Sequence, residues 1–435
     1  MDDVRVNRAD RRQPAFEMVD LDRLVGEDHR VRDVWAFVET LDLSMFYARI
    51  KARGETAGRP AADPRILLAL WLYATIDGIG SARALDRLCE HHLIYRWICG
   101  GVGVNHELLR TFRNESGAFL DQLLTQSLTA LIEQGLIKLD EVITDGTKVR
   151  ASASRGSMRH APRVAEIETE LKARVAKLRK ELDDDPAVTE RRLKARRLAA
   201  AEERARRVSA ARGKFAEREA ERAARAKQHP GEAAARSEED GPRVSTSDPD
   251  ARLMKMADGA TRACYNVQVA TADEFVVAIQ PTERGNDRGL APVAEVERRC
   301  GQAPPRLLAD STAMTEEDIV GFAADHPGMT VFAPPKGCSE TAKPESRARY
   351  ERKLAREPDC LRDWRARMAS DEGKKVYAGR SKTEHPHARM KNCGFGRMLV
   401  RGLDKVRTVC LLHAVAHNFV LAAARRTVRT GCGAA

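Results

Sequence analysis

Apolar and polar positions first fall into a helical pattern at Asp63-Pro64-Arg65. Ile66, Leu67, Leu70, Trp71, Tyr73 and Ala74 form a wide apolar stripe behind a proline suited to a first helical turn. Gly78 and Gly80 end that helix, and Ser81 is placed to cap the next, which turns Leu85, Leu88 and Cys89 inward. Residues 95–99 form a third unit closed by Gly100-Gly101, and Asn105 caps a short helix holding Leu108, Leu109, Arg110, Phe112 and Arg113. Residues 120–136 add another amphipathic helix, and residues 1–62 predict short helices and loops.

From Leu136 the period changes. Ile137, Leu139, Val142 and Ile143 predict a strand that ends in Asp145-Gly146, putting a carboxylate at a sheet rim. Val164, Ile167, Leu171, Val175, Leu178 and Leu182 then recur at spacings of 3, 4, 4, 3 and 4, a short heptad seam broken by Asp183-Asp184-Asp185-Pro186. A second helix, 187–228, is rich in Ala, Arg and Glu, so the stretch predicts an antiparallel helical hairpin followed by a disordered loop around 231–242. Alternation over 264–270 and 275–279 about Asp273-Glu274 predicts a β-hairpin. A helix over 290–300 comes next, then a strand over 306–310 ending in Asp310, and a helix capped by Thr315 with Glu316, Glu317 and Asp318 in its first turn. A strand over 330–334, a charged run over 336–375 and an apolar-sided helix over 408–425 complete the series.

The chain has 435 residues and a formal net charge of +11. That balance favours an anionic partner, nucleic acid first. Nine scattered cysteines without a C-x-x-C pair indicate a reduced, intracellular protein with neither a disulfide framework nor a zinc knuckle. The N-terminus lacks the apolar centre of a signal peptide, and no apolar run approaches the ~20 residues of a membrane span. The N-terminal helices with their exposed arginines suit either a helix-turn-helix DNA contact through Arg110 and Arg113 or a plain helical bundle. The mixed-charge hairpin suits a solvated face, a DNA contact or a dimer contact.

The stretch 376–405 carries the densest chemistry. Tyr377, Arg380, Glu384 and Lys391 are spaced as Y-x2-R-x3-E-x6-K. These positions share a face if the helix is continuous. Pro386 opposes continuity, and the alternative makes Thr383 an N-cap with Pro386 in the first turn. Glu384 among cations is either a surface ion-pair partner or a metal ligand. The metal reading takes Asp145 and Asp310 as the other two acids. An all-carboxylate set suits Mg2+ or Mn2+, and two such ions can clamp the attacking and leaving oxygens of a phosphodiester. Arg380 and Lys391 would hold the phosphate. His413 and His417, four apart, read as packing residues, while His385 and His387 beside Glu384 suit either a DNA contact or a solvated turn.

That pattern resembles the signature of bacterial insertion-sequence transposases of the DDE class. Other stretches agree: D-P-R-I-L-L-A-L-W-L-Y at 63–73, G-I-G-S-A-R-A-L-D-R-L-C at 78–89, N-H-E-L-L-R-T-F-R at 105–113, T-D-G-T-K-V-R-A at 144–151, D-P-D-A-R-L-M-K at 248–255, Y-N-V-Q-V-A at 265–270, R-G-L-D-K-V at 401–406 and H-N-F at 417–419. The resemblance implies an RNase H-like α/β core over 136–155 and 248–425, with a mixed sheet flanked by helices. It also implies an N-terminal all-helical DNA-binding or dimerisation domain over 1–135, a charged helical-hairpin insertion over 156–247 and a tail over 426–435. It implies Asp145, Asp310 and Glu384 as catalytic, metal-binding acids for two Mg2+ (or Mn2+) ions. Tyr377, Arg380, Lys391, Lys148, Arg110 and Arg113 are then contacts to phosphate or DNA. The implied activity is cleavage of transposon ends and strand transfer into double-stranded target DNA, by a homodimer or higher synaptic complex in the bacterial cytoplasm or on the nucleoid. One departure stands out: where such proteins usually show Asp-x-Gly-Tyr, this chain has Asp310-Ser311-Thr312-Ala313. That departure motivates the alternative of a catalytically impaired DNA-binding protein or repressor; a third alternative is a structural protein organised by the hairpin.

Overall fold

A computed structural model of the chain describes residues 20–52, 60–184, 188–228, 241–283, 290–311, 313–337 and 344–431. The loop read as disordered around 231–242, residues 1–19 of the stretch expected to hold short helices and loops, Thr312 of the altered block and the end of the tail lie wholly or mostly outside them. The chain divides into two compact units, Met1–Tyr73 with Ala82–Leu109, and Ala74–Ser81 with Arg110–Ala435.

The first unit is helical. Helix α1 (Arg30–Glu39) buries Val31, Val34 and Val38 at helical spacing, and α2 (Ser44–Tyr47) buries Phe46. In α3 (Pro64–Ile76), Ile66, Leu67, Leu68, Leu70, Trp71 and Leu72 are all buried. The expected stripe is therefore a helix apolar on every side, the mark of a core helix. Its Trp71 Nε1 donates to the Leu109 carbonyl at 2.9 Å, and the Tyr73 ring meets Tyr95 edge-on at 5.4 Å. Helices α4 (Ala82–His91) and α5 (Leu93–Cys99) follow, the latter closed by Gly100 at φ +53°. Asn105 Oδ1 accepts from the Leu108 amide at 2.9 Å, which caps α6 (His106–Glu115) as the sequence predicts.

In the second unit, α7 (Gly117–Glu133) leads into β1 (Val142–Arg150). The strand does not end at Asp145-Gly146 as expected; it runs five residues beyond Asp145. A long antiparallel partner sustains it, as seen below. The insertion starts at β2 (Met158–Arg159), rises through α8 (Ala161–Asp183), returns through α9 (Val188–Gln228) and closes on β2 with β3 (Val244–Ser245). The antiparallel helical hairpin is thus present. Val164, Leu171, Val208, Ala211, Phe215 and Val244 form its buried core near the base.

Strands β4 (Arg252–Lys255), β5 (Thr261–Ala272) and β6 (Phe275–Thr282) are antiparallel, and β7 (Arg306–Leu308) and β8 (Thr330–Phe332) run parallel to β1. The sheet runs β4-β5-β1-β7-β8, with β6 also pairing β5. The fold is therefore mixed α/β. Asp273 and Glu274 make the β5–β6 turn at φ +48° and +67°, a conformation that suits a tight hairpin but is uncommon for residues with side chains. Helices α10 (Leu290–Cys300) and α11 (Glu316–Asp325) match expectation, and Thr315 and Asp318 form a reciprocal capping box. The charged run over 336–375, expected only as a polar stretch, forms α12 (Pro344–Leu354), α13 (Asp359–Ala369) and part of α14 (Asp371–Ala378). Leu361, Trp364 and Met368 of α13 are buried, with Trp364 Nε1 donating to the Ala333 carbonyl at 3.0 Å.

Helix α15 (Glu384–Met390) precedes the last helix, α16 (Leu403–Gly431), which begins earlier than expected. Its stretch Leu403–Thr427 is long and apolar enough to span a membrane, which corrects the sequence reading that no run approaches such a length, but 72% of that window is buried in the fold. Asn418 is the clearest reason: its Oδ1 accepts from the Val276 amide at 2.8 Å and its Nδ2 donates to the Val276 carbonyl at 2.9 Å. Residues 110–135, expected to lie with the N-terminal helices, belong to the second unit, where Asp121 of α7 accepts from Arg299 and Arg407.

Candidate active site

Register decides where the two aspartates meet. Val142 pairs with Leu307 and Ile143 with Leu308 in the parallel ladder of β1 and β7. Continuing that register two residues aligns Asp145 with Asp310. Strand β7 stops at Leu308, so both acids stand just past the end of their shared ladder although β1 itself continues. The sequence placed Asp145 at a rim for the wrong reason: its neighbour ends there, while β5 carries β1 onward through the pairing of Arg150 with Cys264. A Cβ at Gly146 would sit 2.8 Å from Gln268 Nε2 on β5, so a larger residue there would require that side chain to shift.

The signature segment supplies the cations. Tyr377 lies in α14, Arg380 in a 3-10 turn, Gly379–Thr383, and Glu384 opens α15 with Pro386 in its first turn. The actual path combines the two expected ones. The backbone stays right-handed helical throughout, and the tighter turn lets the proline follow without a break. Thr383 does not cap with its side chain; its hydroxyl is buried and accepts from Thr271 Oγ1 at 3.4 Å. His385 Nδ1 lies 2.6 Å from Glu274 Oε1, pinning the segment to the β5–β6 turn. The ion pair with His385, after the cost of burial, holds the Glu274 carboxyl below its ordinary value.

Four side chains converge. Arg380 Nη2 donates to Asp145 Oδ1 at 3.1 Å. Burial pushes the Tyr377 hydroxyl above its usual range, with Arg380 pulling it down and the charges of Asp310 and Asp145 pushing it further up. His387 is buried, its Nδ1 3.8 Å from Asp145 Oδ2 and its Nε2 without a hydrogen-bond partner among the described residues. Burial drives the His387 pKa down, Asp145 opposes this, and Lys391, Arg380 and His417 add to it. Sequence reasoning left His387 open between a DNA contact and a solvated turn. The signal for its place was available: 380, 384, 387 and 391 recur at intervals of four, three and four, one face of a helix.

The remaining predicted residues are more dispersed. Glu384 is exposed, and its carboxylate makes no hydrogen bond or ion pair with a described residue. Lys391 is exposed at the start of a wide helical turn, Lys391–Phe395. Lys148 is three residues along β1 from Asp145, hence on the opposite sheet face, and its ammonium donates to the Lys255 carbonyl at 2.8 Å. Arg110 is exposed, whereas Arg113 is buried, donates to the Gly80 carbonyl at 2.7 Å, and has its pKa lowered to about 10 by burial and by Arg110. His413 packs edge-on against Phe395 at 4.9 Å and His417 lies 2.9 Å from the Glu274 carbonyl, the packing roles the sequence favoured.

Carboxylate oxygens are the donors a hard divalent cation requires. Among the described residues no three His, Cys, Asp or Glu side chains are grouped closely enough to hold a metal ion. The cation now facing Asp145 is the Arg380 guanidinium. On donor chemistry the acids fit a divalent ion; on present spacing, two are aligned and the third stands apart.

Two family models match the chain. A transposase domain (DUF772) covers residues 19–115, and a transposase DDE domain covers residues 336–421. The second match takes in Tyr377, Arg380, Glu384 and Lys391. Neither the curated proteins nor the solved structures yield a match.

Proposed function

We propose, from the premise that this chain belongs to the insertion-sequence DDE transposases, that the rim built from Asp145, Asp310, Tyr377 and Arg380 cuts transposon ends and joins them to target DNA. The reading is carried by the β1–β7 register, which continued two residues aligns Asp145 with Asp310, and by the Arg380 guanidinium, which reaches Asp145 from 235 residues away in sequence. Support for an RNase H-like core comes from strand order: three antiparallel strands followed by two parallel to the first, ordered β6-β5-β1-β7-β8. Residues 136–155 with 248–425 would form that core. Residues 1–135 would serve DNA binding or dimerisation, and 156–247 is an insertion.

Asp145, Asp310 and Glu384 would hold the divalent ions, Mg2+ or Mn2+. Such ions, when bound, activate the attacking water or 3′-hydroxyl and neutralise the leaving oxygen. The chain's own residues do the rest. Arg380 offers a planar fork to a phosphate, and the charge it now shares with Asp145 can pass to that phosphate. Tyr377 donates its proton toward the same oxygens, since its raised pKa keeps it protonated. Lys391 and Glu384, seven residues apart, share a helix face with Arg380 and His387. Double-stranded DNA with the element's ends, and a second copy of this chain to pair those ends, are the partners.

Incubation with Mg2+ and duplexes carrying the element's terminal repeats tests this reading. Strand cleavage in the wild type and its absence in Asp145→Ala is the expected result; equal cutting by both proteins would refute the assignment. A second reading, a DNA-binding protein without catalysis, is favoured by Arg380 occupying Asp145 while Glu384 stands apart. Duplex binding without cleavage by the wild type would establish that one.

A further inference from the structure

The chain's positive charge is concentrated in one element. Helix α9 carries 14 Lys and Arg against six Asp and Glu, a net +8, where the whole chain is +11. That charge is deployed differently along its length. Nearer the base Arg204 is exposed and makes no hydrogen bond or ion pair with a described residue, but five other cations are committed. Lys214 lies 2.6 Å from Glu283, Arg218 donates to the Arg243, Pro249 and Ala251 carbonyls, and Arg212 lies 3.0 Å from Glu168. Arg206 and Arg207 share Glu203. At the outer end, Arg191, Arg192, Arg196 and Arg197 are exposed and make no hydrogen bond or ion pair with a described residue. Their neighbour Lys194 takes Glu190 at 3.9 Å, which removes the one acid close to them on α9. The turn acids Asp183 and Asp184 precede α9, and their side chains make no hydrogen bond or ion pair with a described residue.

An unpaired cluster of this kind would be a solvated surface if it stood anywhere on the molecule. Two features make it more. The base contacts fix the hairpin to the sheet, so the outer end is held out rather than trailing. At 1.5 Å per residue, Arg191 stands roughly 35 Å along α9 from Lys214, about one turn of duplex. We propose that the outer end of the hairpin is a sequence-independent clamp on the phosphate backbone of double-stranded DNA, engaged about one helical turn from where the hairpin is rooted. The partner is defined by charge complementarity: four forked cations, no aromatic side chain among residues 188–199 on which an unpaired base could stack, and so a duplex backbone rather than a single strand. This rests on the reading that the chain acts on DNA.

The test replaces Arg191, Arg192, Arg196 and Arg197 together by Ala in the full chain. Alanine keeps or raises helix propensity, and far-UV circular dichroism checks that the hairpin persists. Affinity for a random-sequence duplex of about four turns is measured across a series of salt concentrations. Each lost phosphate contact lowers the steepness of the log-log salt plot by ~0.9, so a fall of roughly 3 to 4 is expected, with the fourfold Lys variant restoring most of it. An unchanged slope in the Ala variant overturns the clamp, as does loss of binding to phosphatidylglycerol vesicles with duplex binding intact. A wild type that binds no duplex at all overturns the DNA reading itself, whereas an unchanged slope in a wild type that cuts DNA overturns only the clamp.

Discussion

Arg380 and Asp145 are 235 residues apart in sequence, and the guanidinium Nη2 rests 3.1 Å from the carboxylate Oδ1. The pair is about a quarter exposed on each side, so its own contribution to stability is small, on the order of 1 kcal/mol or less. Its value lies in placement, since the same fork can turn to a phosphate. Arg380→Ala is expected to lower single-turnover cleavage of end-bearing duplex by at least ~100-fold, as loss of a preorganised charge donor does, while shifting the thermal midpoint little. Arg380→Lys keeps the charge without the fork and should recover only part of the rate. A wild-type rate in Arg380→Ala would remove this residue from the site.

Asp145→Ala and Asp310→Ala should each abolish cleavage, and because the two acids act on one centre, the double variant should be no worse than either single one. Duplex affinity should hold or tighten, since a negative charge beside the phosphate has gone. Electrophoretic mobility shift beside a cleavage assay reads both quantities. Weakened binding in both variants would show the rim to be a folding element instead.

Much of this was legible from pattern. The short apolar run before Asp310 marks a strand, and β7 and the helix capped by Thr315 follow directly. What could not be read was anything set by partner length. That β1 runs past Asp145 depends on β5 being twelve residues long, and no local feature of Thr144-Asp145-Gly146 reveals it. Residues 336–375 read only as a charged run because their apolar positions are sparse; only tertiary burial of Trp364 shows that α13 is packed. His387 was open to inference from spacing, but its burial against Asp145 is tertiary, and so are the contacts of Thr383 with Thr271 and of His385 with Glu274 that hold the segment just before it.

Asn418 satisfies both backbone groups of Val276 at the start of β6 and is itself buried. Asn418→Ala leaves an amide and a carbonyl without partners, which costs about 1–3 kcal/mol for each buried group. The urea midpoint should fall with an unchanged slope of free energy against denaturant. The Asp273-Glu274 turn, whose carbonyls also receive Arg425 and His417 from α16, should then exchange its amide protons faster. An unaltered midpoint would mean that water replaces the amide fully.

Acid should destabilise the fold through its buried histidines. Burial lowers the His413 pKa from 6.5 to about 4, and His417 and His387 are driven down in the same direction by the same cause. Between pH ~6.5 and ~4 the unfolded chain therefore binds a proton at His413 that the folded chain refuses, so stability is retained above this window and lost as pH falls through it. For His413 alone the loss by pH 4 is on the order of 3 kcal/mol at 1.36 kcal/mol per unit. His413→Leu should remove that share, leaving a shallower decline in thermal midpoint from pH 7 to 4 while the neutral-pH value changes less. Identical pH profiles for wild type and His413→Leu would mean that the imidazole beside Phe395 is protonated in the folded chain after all.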